Sequence, residues 1–166
     1  MIRKVKSDDT HDIALIYNYY IENSTISFET NPVSFEEMEV RIADISSKYP
    51  YFVYEEAGKV VGYCYVSSWK KKAAYSKTVE LTIYIEKGFQ RKGIGLALMN
   101  KLIDELRKKS FHAIIACINI PNPISVKLHE KLGFRQVSEF IEVGYKFGQW
   151  LNTGDWELIL FDSEKR

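Results

Sequence analysis

The segment Gln90-Arg91-Lys92-Gly93-Ile94-Gly95-Leu96 joins a predicted strand to a predicted long helix, and it is the part of the sequence that most restricts the fold. Backbone N–H groups at a helix start lack intrahelical partners and carry the positive end of the helix dipole, so they can surround a pyrophosphate. A dinucleotide-binding turn would need another glycine where Leu98 stands, and the Lys-Ser/Thr pair of a P-loop is absent. The segment therefore indicates either an anion-binding turn of another kind or an ordinary loop that contains glycine.

The residues on both sides of this turn are clearly periodic. From Thr78 to Ile85 apolar residues alternate with others, which predicts a strand whose more apolar face lies opposite Glu80. From about Gly93 apolar residues recur at helical spacing, and Ala113 to Ile118 then forms a continuous apolar run. The strand, helix and second strand together predict a parallel crossover.

The remaining segments predict further strands and helices. A capping-box pattern at Ser34 and Glu37 marks the start of one helix, and Ala57-Gly58 supplies a turn between two strands. The predicted elements are a strand at Ile2 to Val5, a helix from Asp9, a helix after Ser34, strands at Tyr51 to Glu55 and Val60 to Trp69, a helix from Asn122 to Leu132, and strands from Phe134 to Phe161 broken by Gly144, Gly148 and Gly154. We therefore predict a single α/β (α+β) domain over residues 1–166, with a mixed, mostly antiparallel twisted sheet flanked by helices.

Charge and cysteine usage narrow the classes of partner. Lys plus Arg number 23 against 22 for Asp plus Glu, so the formal charge of +1 predicts neither a nucleic-acid partner nor an anionic membrane surface. The polar start at Met1 to Thr10, and the lack of an apolar run of roughly 18 residues, favour a cytoplasmic protein. Cys64 and Cys117 have no metal-ligand spacing, and we interpret both as reduced core residues.

The turn also resembles a family signature. Gln90 to Gly95 matches the Gln/Arg-x-x-Gly-x-Gly/Ala segment of GCN5-related N-acetyltransferases (GNAT), in the same strand-turn-helix context. The resemblance implies the GNAT fold and acetyl-CoA as cosubstrate, with no metal. It implies that the turn holds the CoA pyrophosphate and that a strand edge pairs with the pantetheine arm. The residues so implied are Ile83, Tyr84 and Ile85 on the strand and Gln90, Arg91, Lys92, Gly93, Ile94, Gly95 and Leu96 in the turn.

A second segment, from Asn122 to His129 and followed by Gly133-Phe134, resembles the superfamily's Asn-x-x-Ala-x-x-x-Tyr…Gly-Phe pattern. Ser125 replaces the common alanine, and His129 stands where many members have a tyrosine general acid. Phosphinothricin acetyltransferases also have histidine there, and the chain is similar to that family over nearly its whole length. The resemblance adds Asn122 and Ser125 to the cofactor site. It also implies substrate contacts at Phe28, Tyr75 and Lys146. The charges of Lys72 and Lys146 suit a substrate carboxylate or phosphinate, although a run such as Lys70-Lys71-Lys72 is more typical of a solvated loop.

Acetyl transfer needs a neutral amine, a stabilised oxyanion and a proton for the leaving thiolate. We predict Glu80 as the base, backbone N–H groups near Ile83 to Ile85 for the oxyanion, and His129 as an acid or base. Both side chains have ordinary readings as well. Glu80 is also consistent with a strand residue that is solvated or paired with a lysine such as Lys77, and His129 with a surface or capping residue.

The family resemblance implies direct acetyl transfer to a small amino-acid-like amine such as phosphinothricin, methionine sulfoximine or methionine sulfone. Two alternatives stay open: a protein or peptide N-terminal acetyltransferase with an open groove, and a non-catalytic CoA-binding sensor. The resemblance also implies a homodimer, to which residues Trp150 to Trp156 would contribute.

Overall fold

The computed structural model describes residues 1–161, and within them seven strands and four helices follow the predicted order. The Ser34 hydroxyl accepts a hydrogen bond from the Glu37 amide at 3.1 Å, which confirms that cap. The helices are α1 (Thr10–Asn23), α2 (Phe35–Lys48), α3 (Ile94–Lys108) and α4 (Pro123–Lys131). The strands are β1 (Ile2–Lys4), β2 (Tyr51–Glu56), β3 (Lys59–Ser68), β4 (Thr78–Ile85), β5 (Ala113–Ile120), β6 (Arg135–Lys146) and β7 (Gln149–Ile159).

The strands form one sheet in the order β1-β2-β3-β4-β5-β7-β6. Strands β4 and β5 are parallel, and α3 makes the crossover between them, whereas the other neighbouring pairs are antiparallel. The predicted mixed, mostly antiparallel sheet and its parallel crossover are therefore confirmed.

The two parallel strands separate halfway along their length. Strand β4 pairs with β5 only from Thr78 to Glu80, although its pairing with β3 continues as far as Ile85. One edge of β4 thus has no strand partner over residues 81–85. This separation opens a cleft in the middle of the sheet.

Helices pack on both faces of the sheet and bury two apolar clusters. On one face α3 contributes Leu98, Met99, Leu102 and Leu106, all inaccessible to solvent. On the other face α1 and α2 pack their apolar stripes against tyrosine and valine side chains of β2 and β3. Each fully buried aliphatic side chain stabilises the fold by roughly 1.5–3 kcal/mol. No helix within residues 1–161 has the length and apolar character needed to cross a bilayer.

The predicted breaks in the last strands are wrong at two of the three glycines. β6 runs through Gly144 and β7 runs through Gly154, and only Gly148 lies in the connecting turn, with a φ of 74°. A Cβ at Gly144 would overlap the ring of Phe28, so this glycine permits a close approach and does not end the strand.

Candidate active site

The opening between β4 and β5 holds two adjoining cavities of about 480 and 410 Å³. The first extends from Glu80 to His129, and the second extends along the end of β4 to the turn before α3. Ile83, Tyr84 and Ser125 line both cavities, so a molecule lying along the edge of β4 reaches from one to the other. We call the first the acceptor cavity and the second the cofactor cavity.

The cofactor cavity combines a free strand edge with a helix start. Gly93 caps α3 with a φ of 81°, a left-handed conformation that glycine adopts without steric cost. The first amide bonded back into the helix is that of Ala97, which donates to the Gly93 carbonyl at 3.0 Å. The amides of Ile94, Gly95 and Leu96 therefore point out of the helix start and suit an anion.

The predicted cofactor residues do not all face this cavity through their side chains. Gln90, Arg91, Gly93, Gly95 and Leu96 line it, together with Asn122 and Ser125. The Ile94 side chain is buried in the core, and the Lys92 ammonium lies 4.3 Å from the Phe89 ring. Neither residue is among those that line the cavity.

Tyr20 connects the cofactor cavity to α1, and the sequence analysis did not identify it. Its hydroxyl donates to the carbonyl oxygen of Ile85 at 2.5 Å and accepts from the Gln90 side-chain amide at 2.7 Å. The Ile85 carbonyl is therefore already bonded within the protein, and the Gln90 side chain fixes the turn. Tyr20 lies in the apolar stripe of α1, so its spacing indicates only a core residue.

Helix α4 closes the cleft from the β5 side. The Asn122 side-chain oxygen accepts from the Ser125 amide at 3.2 Å, so Asn122 caps this helix. A Cβ at Gly95 would lie 3.0 Å from Leu128, which means that the start of α3 and α4 pack closely because Gly95 has no side chain. Asn122 and Ser125 thereby lie where the two cavities meet.

Glu80 is the last residue of β4 that pairs with β5, and it lines the acceptor cavity. The side chain is half-buried, and burial together with the nearby Asp155 carboxylate raises the pKa of Glu80. Asp155 is on β7 opposite Cys117, and its carboxylate accepts from the Ser138 hydroxyl at 2.9 Å. Within residues 1–161 no salt bridge involves Glu80, so the predicted ordinary pairing with Lys77 is not formed.

Cys64 is buried as predicted, but the prediction for Cys117 is wrong. Cys117 is exposed because β4 has already separated from β5 at this level, and it lines the acceptor cavity. The surrounding sheet still desolvates the thiol and, with the carboxylates of Asp155 and Glu80, raises the pKa of Cys117 to about 12. The thiol is therefore protonated at neutral pH and is not an activated nucleophile.

His129 is almost fully buried in α4 and lines the acceptor cavity, so the surface reading of this residue is excluded. Its Nδ1 lies 2.8 Å from the carbonyl oxygen of Ser125, and the ring packs edge-on against Phe134. Because a carbonyl can only accept, this hydrogen bond assigns the ring proton to Nδ1. Burial lowers the pKa of His129, so the neutral ring, with Nε2 as an acceptor, is the form present at neutral pH.

The opposite wall of the acceptor cavity comes from the segment between α1 and α2. Phe28 and Glu29 line the cavity there. Glu29 accepts from the Tyr17 hydroxyl at 2.8 Å and from Arg41 at 2.6 Å. Burial alone would raise the pKa of Glu29, but the hydrogen bonds from Arg41 and Tyr17 outweigh it and hold the carboxyl below its usual range.

Three of the four predicted substrate contacts lie elsewhere. Lys72 is exposed in the β3–β4 connection, Tyr75 packs edge-on against Trp69, and neither lines either cavity. Lys146 is buried, and its ammonium donates to the carbonyl oxygens of Ser24 and Ser27. Its ammonium therefore binds the protein's own backbone, and Lys146 lines neither cavity.

Comparisons with known proteins agree with this geometry. The family model described as acetyltransferase (GNAT) domain matches residues 2–153. A phosphinothricin N-acetyltransferase from Streptomyces viridochromogenes is 36% identical over 94% of this chain and 85% of its own. An L-methionine sulfoximine/L-methionine sulfone acetyltransferase from Salmonella typhimurium is 33% identical over 96% of this chain and 94% of its own. The crystal structure of a phosphinothricin acetyltransferase from Sinorhizobium meliloti with acetyl-CoA superposes with a TM-score of 0.95 at 32% identity, covering 100% of this chain and 91% of that one.

Proposed function

Because this chain belongs to the GNAT family of acetyltransferases, we propose that it transfers the acetyl group of acetyl-CoA to a small amino-acid-like amine of the phosphinothricin, methionine sulfoximine or methionine sulfone type. The observation that carries this proposal is the pair of cavities that meet at Ile83 and Tyr84. One cavity offers anion-binding amides, and the other offers a carboxylate whose surroundings favour proton acceptance.

The residues of the cofactor cavity fit acetyl-CoA. The edge of β4 over residues 81–85 has no strand partner and suits a chain of amides that pairs like an added strand, although the Ile85 carbonyl already accepts from Tyr20. The α3 start suits the pyrophosphate. Gly93 leaves open space there, since a Cβ at this residue would meet no atom within 4 Å. Bound acetyl-CoA supplies an acetyl group already activated as a thioester.

Glu80 prepares the amine. An amino group of this class is largely protonated at neutral pH, and an ammonium cannot attack a carbonyl. Glu80 takes the proton directly or through water, and its raised pKa brings it closer to that of the amine. As the new C–N bond forms and the C–S bond breaks, backbone N–H groups at the β4 edge stabilise the carbonyl oxygen.

His129 serves as a proton acceptor in this scheme. With the ring proton on Nδ1 and directed at the Ser125 carbonyl, only Nε2 remains for the cavity, and in the neutral ring it carries no proton. The ring therefore accepts a proton, directly or through water, before it can donate one to the thiolate. This order distinguishes it from a tyrosine, which begins as a donor.

We also propose that the protein is a homodimer. The β6–β7 hairpin exposes a run of large apolar side chains, which on a monomeric surface marks an interaction site. Trp156 is buried in the core and is not available to a partner, so Trp150 is the exposed tryptophan of the predicted Trp150 to Trp156 contribution. The exposed members are Val137, Phe140, Ile141, Val143, Tyr145, Phe147 and Trp150.

Sedimentation should show a dimer that the double variant Ile141→Lys/Trp150→Lys converts to a monomer. A monomeric wild-type protein would contradict this proposal.

A cytoplasmic location is our proposal as well. Cys64 and Cys117 are both free thiols, as is usual for proteins of a reducing compartment. Fractionation of cells that produce the full-length protein should recover it with soluble cytoplasmic enzymes. Recovery with the membrane or outside the cell would contradict this location.

The function is tested by measuring thiol release from acetyl-CoA with a panel of amines. Methionine sulfone, methionine sulfoximine and phosphinothricin should each stimulate release, whereas peptides and polyamines should not. Stimulation by peptides alone would identify a peptide acetyltransferase. Acetyl-CoA binding without release for any amine would identify a sensor.

A further inference from the structure

Two side chains hold the backbone of the 24–29 loop, the segment between α1 and α2 that forms one wall of the acceptor cavity. Lys146 Nζ donates to the carbonyl oxygens of Ser24 at 2.8 Å and Ser27 at 2.7 Å. The two carbonyls between them, of residues 25 and 26, accept from Asn119 Nδ2 at 3.0 and 2.8 Å. We call Lys146 and Asn119 the carbonyl clamp, because together they bind every carbonyl from residue 24 to residue 27.

The clamp is anchored in the sheet. Lys146 is the last residue of β6 and only 4% exposed, and Asn119 lies near the end of β5. Thr153 on β7 donates to Asn119 Oδ1 at 3.3 Å, which directs the amide nitrogen of Asn119 toward the loop. The loop thereby follows the position of the strands.

The buried ammonium of Lys146 needs hydrogen-bond acceptors. Within residues 1–161 it has no carboxylate partner, and a buried ammonium is costly unless its donors are satisfied. The loop carbonyls satisfy two donors, and the Phe147 ring lies 5.0 Å away. The buried charge and the ordered loop consequently stabilise one another.

The loop transmits this order to the acceptor cavity. Ser27 is buried, and its hydroxyl donates to the Tyr17 hydroxyl and accepts from the Glu29 amide, each at 3.2 Å. Tyr17 in turn donates to the Glu29 carboxylate. The Phe28 ring lies against Gly144, which is on the same strand, β6, as Lys146. The three loop residues Ser27, Phe28 and Glu29 thus depend on the backbone path that the clamp sets, and Tyr17 of α1 is hydrogen-bonded to two of them.

We propose that Lys146 and Asn119 are positioning residues that set the acceptor wall, so that they govern use of the amine more than acetyl-CoA binding. Ser27, Phe28 and Glu29 of the loop line the acceptor cavity alone, and Ile26 lines both cavities. This inference rests on the proposed acetyltransferase function for its kinetic part. Its structural part, the order of the 24–29 loop, is independent of any activity.

Hydrogen exchange read by mass spectrometry tests the structural part on the wild-type protein, Lys146→Met and the control Lys108→Met, which removes an exposed lysine charge from α3. In Lys146→Met the amides of residues 25–29 should exchange roughly tenfold faster, because local opening loses two hydrogen bonds. Exchange in α3 and in Lys108→Met should match the wild type. Unchanged exchange of the loop in Lys146→Met would overturn the clamp.

Kinetics tests the functional part with one accepted amine. In Lys146→Met, kcat/KM for the amine should fall roughly 10- to 100-fold, since small displacements of a cavity wall have effects of this order. The acetyl-CoA Kd should change by much less, because Ile26 is the one residue of the 24–29 loop that lines the cofactor cavity. Equal losses for both substrates would show a general structural role and overturn the proposal.

A second variant keeps the test decisive if Lys146→Met does not fold. Asn119→Ser removes the two central hydrogen bonds and the one that Thr153 donates, and it should show the same pattern to a smaller degree. In the double variant the effects on kcat/KM should be less than additive, because both side chains hold one loop. If wild-type protein acetylates no amine, the proposed function fails, and loop exchange alone decides the clamp.

Discussion

Nδ1 of His129 lies 2.8 Å from the carbonyl oxygen of Ser125, one helical turn earlier in α4. This contact leaves Nε2 as the only ring nitrogen available to the acceptor cavity, and burial favours the uncharged ring. We expect His129→Phe to fold and bind acetyl-CoA but to lose roughly 10²-fold or more in kcat. His129→Tyr should retain part of the activity with a different pH profile. Wild-type kcat in the Phe variant would show that His129 only packs against Phe134.

The same burial makes stability depend on pH. The pKa of His129 is lowered in the folded protein, whereas the unfolded chain has the ordinary value of about 6.5. The unfolded state therefore binds a proton more readily, and stability should fall as the pH drops from about 6.5 through the lower folded pKa. Urea titrations across this range should show a smaller pH dependence for His129→Phe than for the wild type. The control His112→Gln, at an exposed histidine, should keep the wild-type dependence.

Asp155 is expected to raise the pKa of the base, Glu80. Its carboxylate contributes to the raised pKa of Glu80, and Asp155→Asn keeps the shape and the hydrogen bond from Ser138. Activity requires ionised Glu80, so removing the like charge should move the acidic limb of kcat/KM to lower pH. The control Asp104→Asn, at an exposed position on α3, should leave the limb in place. An unshifted limb in Asp155→Asn would show that this carboxylate does not act on Glu80.

Two glycines provide a matched test of the cofactor turn. Gly93 and Gly58 have φ values of 81° and 79°, and a Cβ at either would meet no atom within 4 Å. Alanine at either position should cost about 1–2 kcal/mol of unfolding free energy, because the left-handed conformation is strained for residues with a Cβ. Only Gly93→Ala should raise the acetyl-CoA Kd, by roughly tenfold, since relief of the strain moves the α3 amides. Equal Kd values by calorimetry in both variants would remove the turn from the cofactor site.

Local patterns predicted much of this molecule because the information they need is local. Alternation in β4 placed Glu80 opposite the more apolar face, and helical spacing placed α3 directly after the Gly93 turn. The family resemblance then indicated which residues of these elements belong to the cofactor site. The strand and helix patterns can each be recognised within one short stretch of consecutive residues.

The errors concern pairing between distant segments. Cys117 lies in an apolar run and would be buried if β4 and β5 stayed together, but their separation is a property of the whole sheet. The charge of Lys146 suits a substrate carboxylate. Only the folded path of the 24–29 loop shows that its ammonium donates to backbone carbonyls. Tyr20 has the spacing of a core residue and also closes a hydrogen-bond link to Ile85.

The central claim is that Glu80 removes a proton from the amine beside the bound thioester. The most direct measurement is steady-state turnover of Glu80→Gln with an accepted amine, from neutral to alkaline pH, with acetyl-CoA affinity measured by calorimetry. Glu56→Gln, at an exposed position on β2, is the matched control. We expect Glu80→Gln to lose roughly 10²- to 10⁴-fold in kcat at an unchanged acetyl-CoA Kd, and Glu56→Gln to behave as the wild type. Wild-type turnover of a folded Glu80→Gln variant over the whole pH range would contradict the claim.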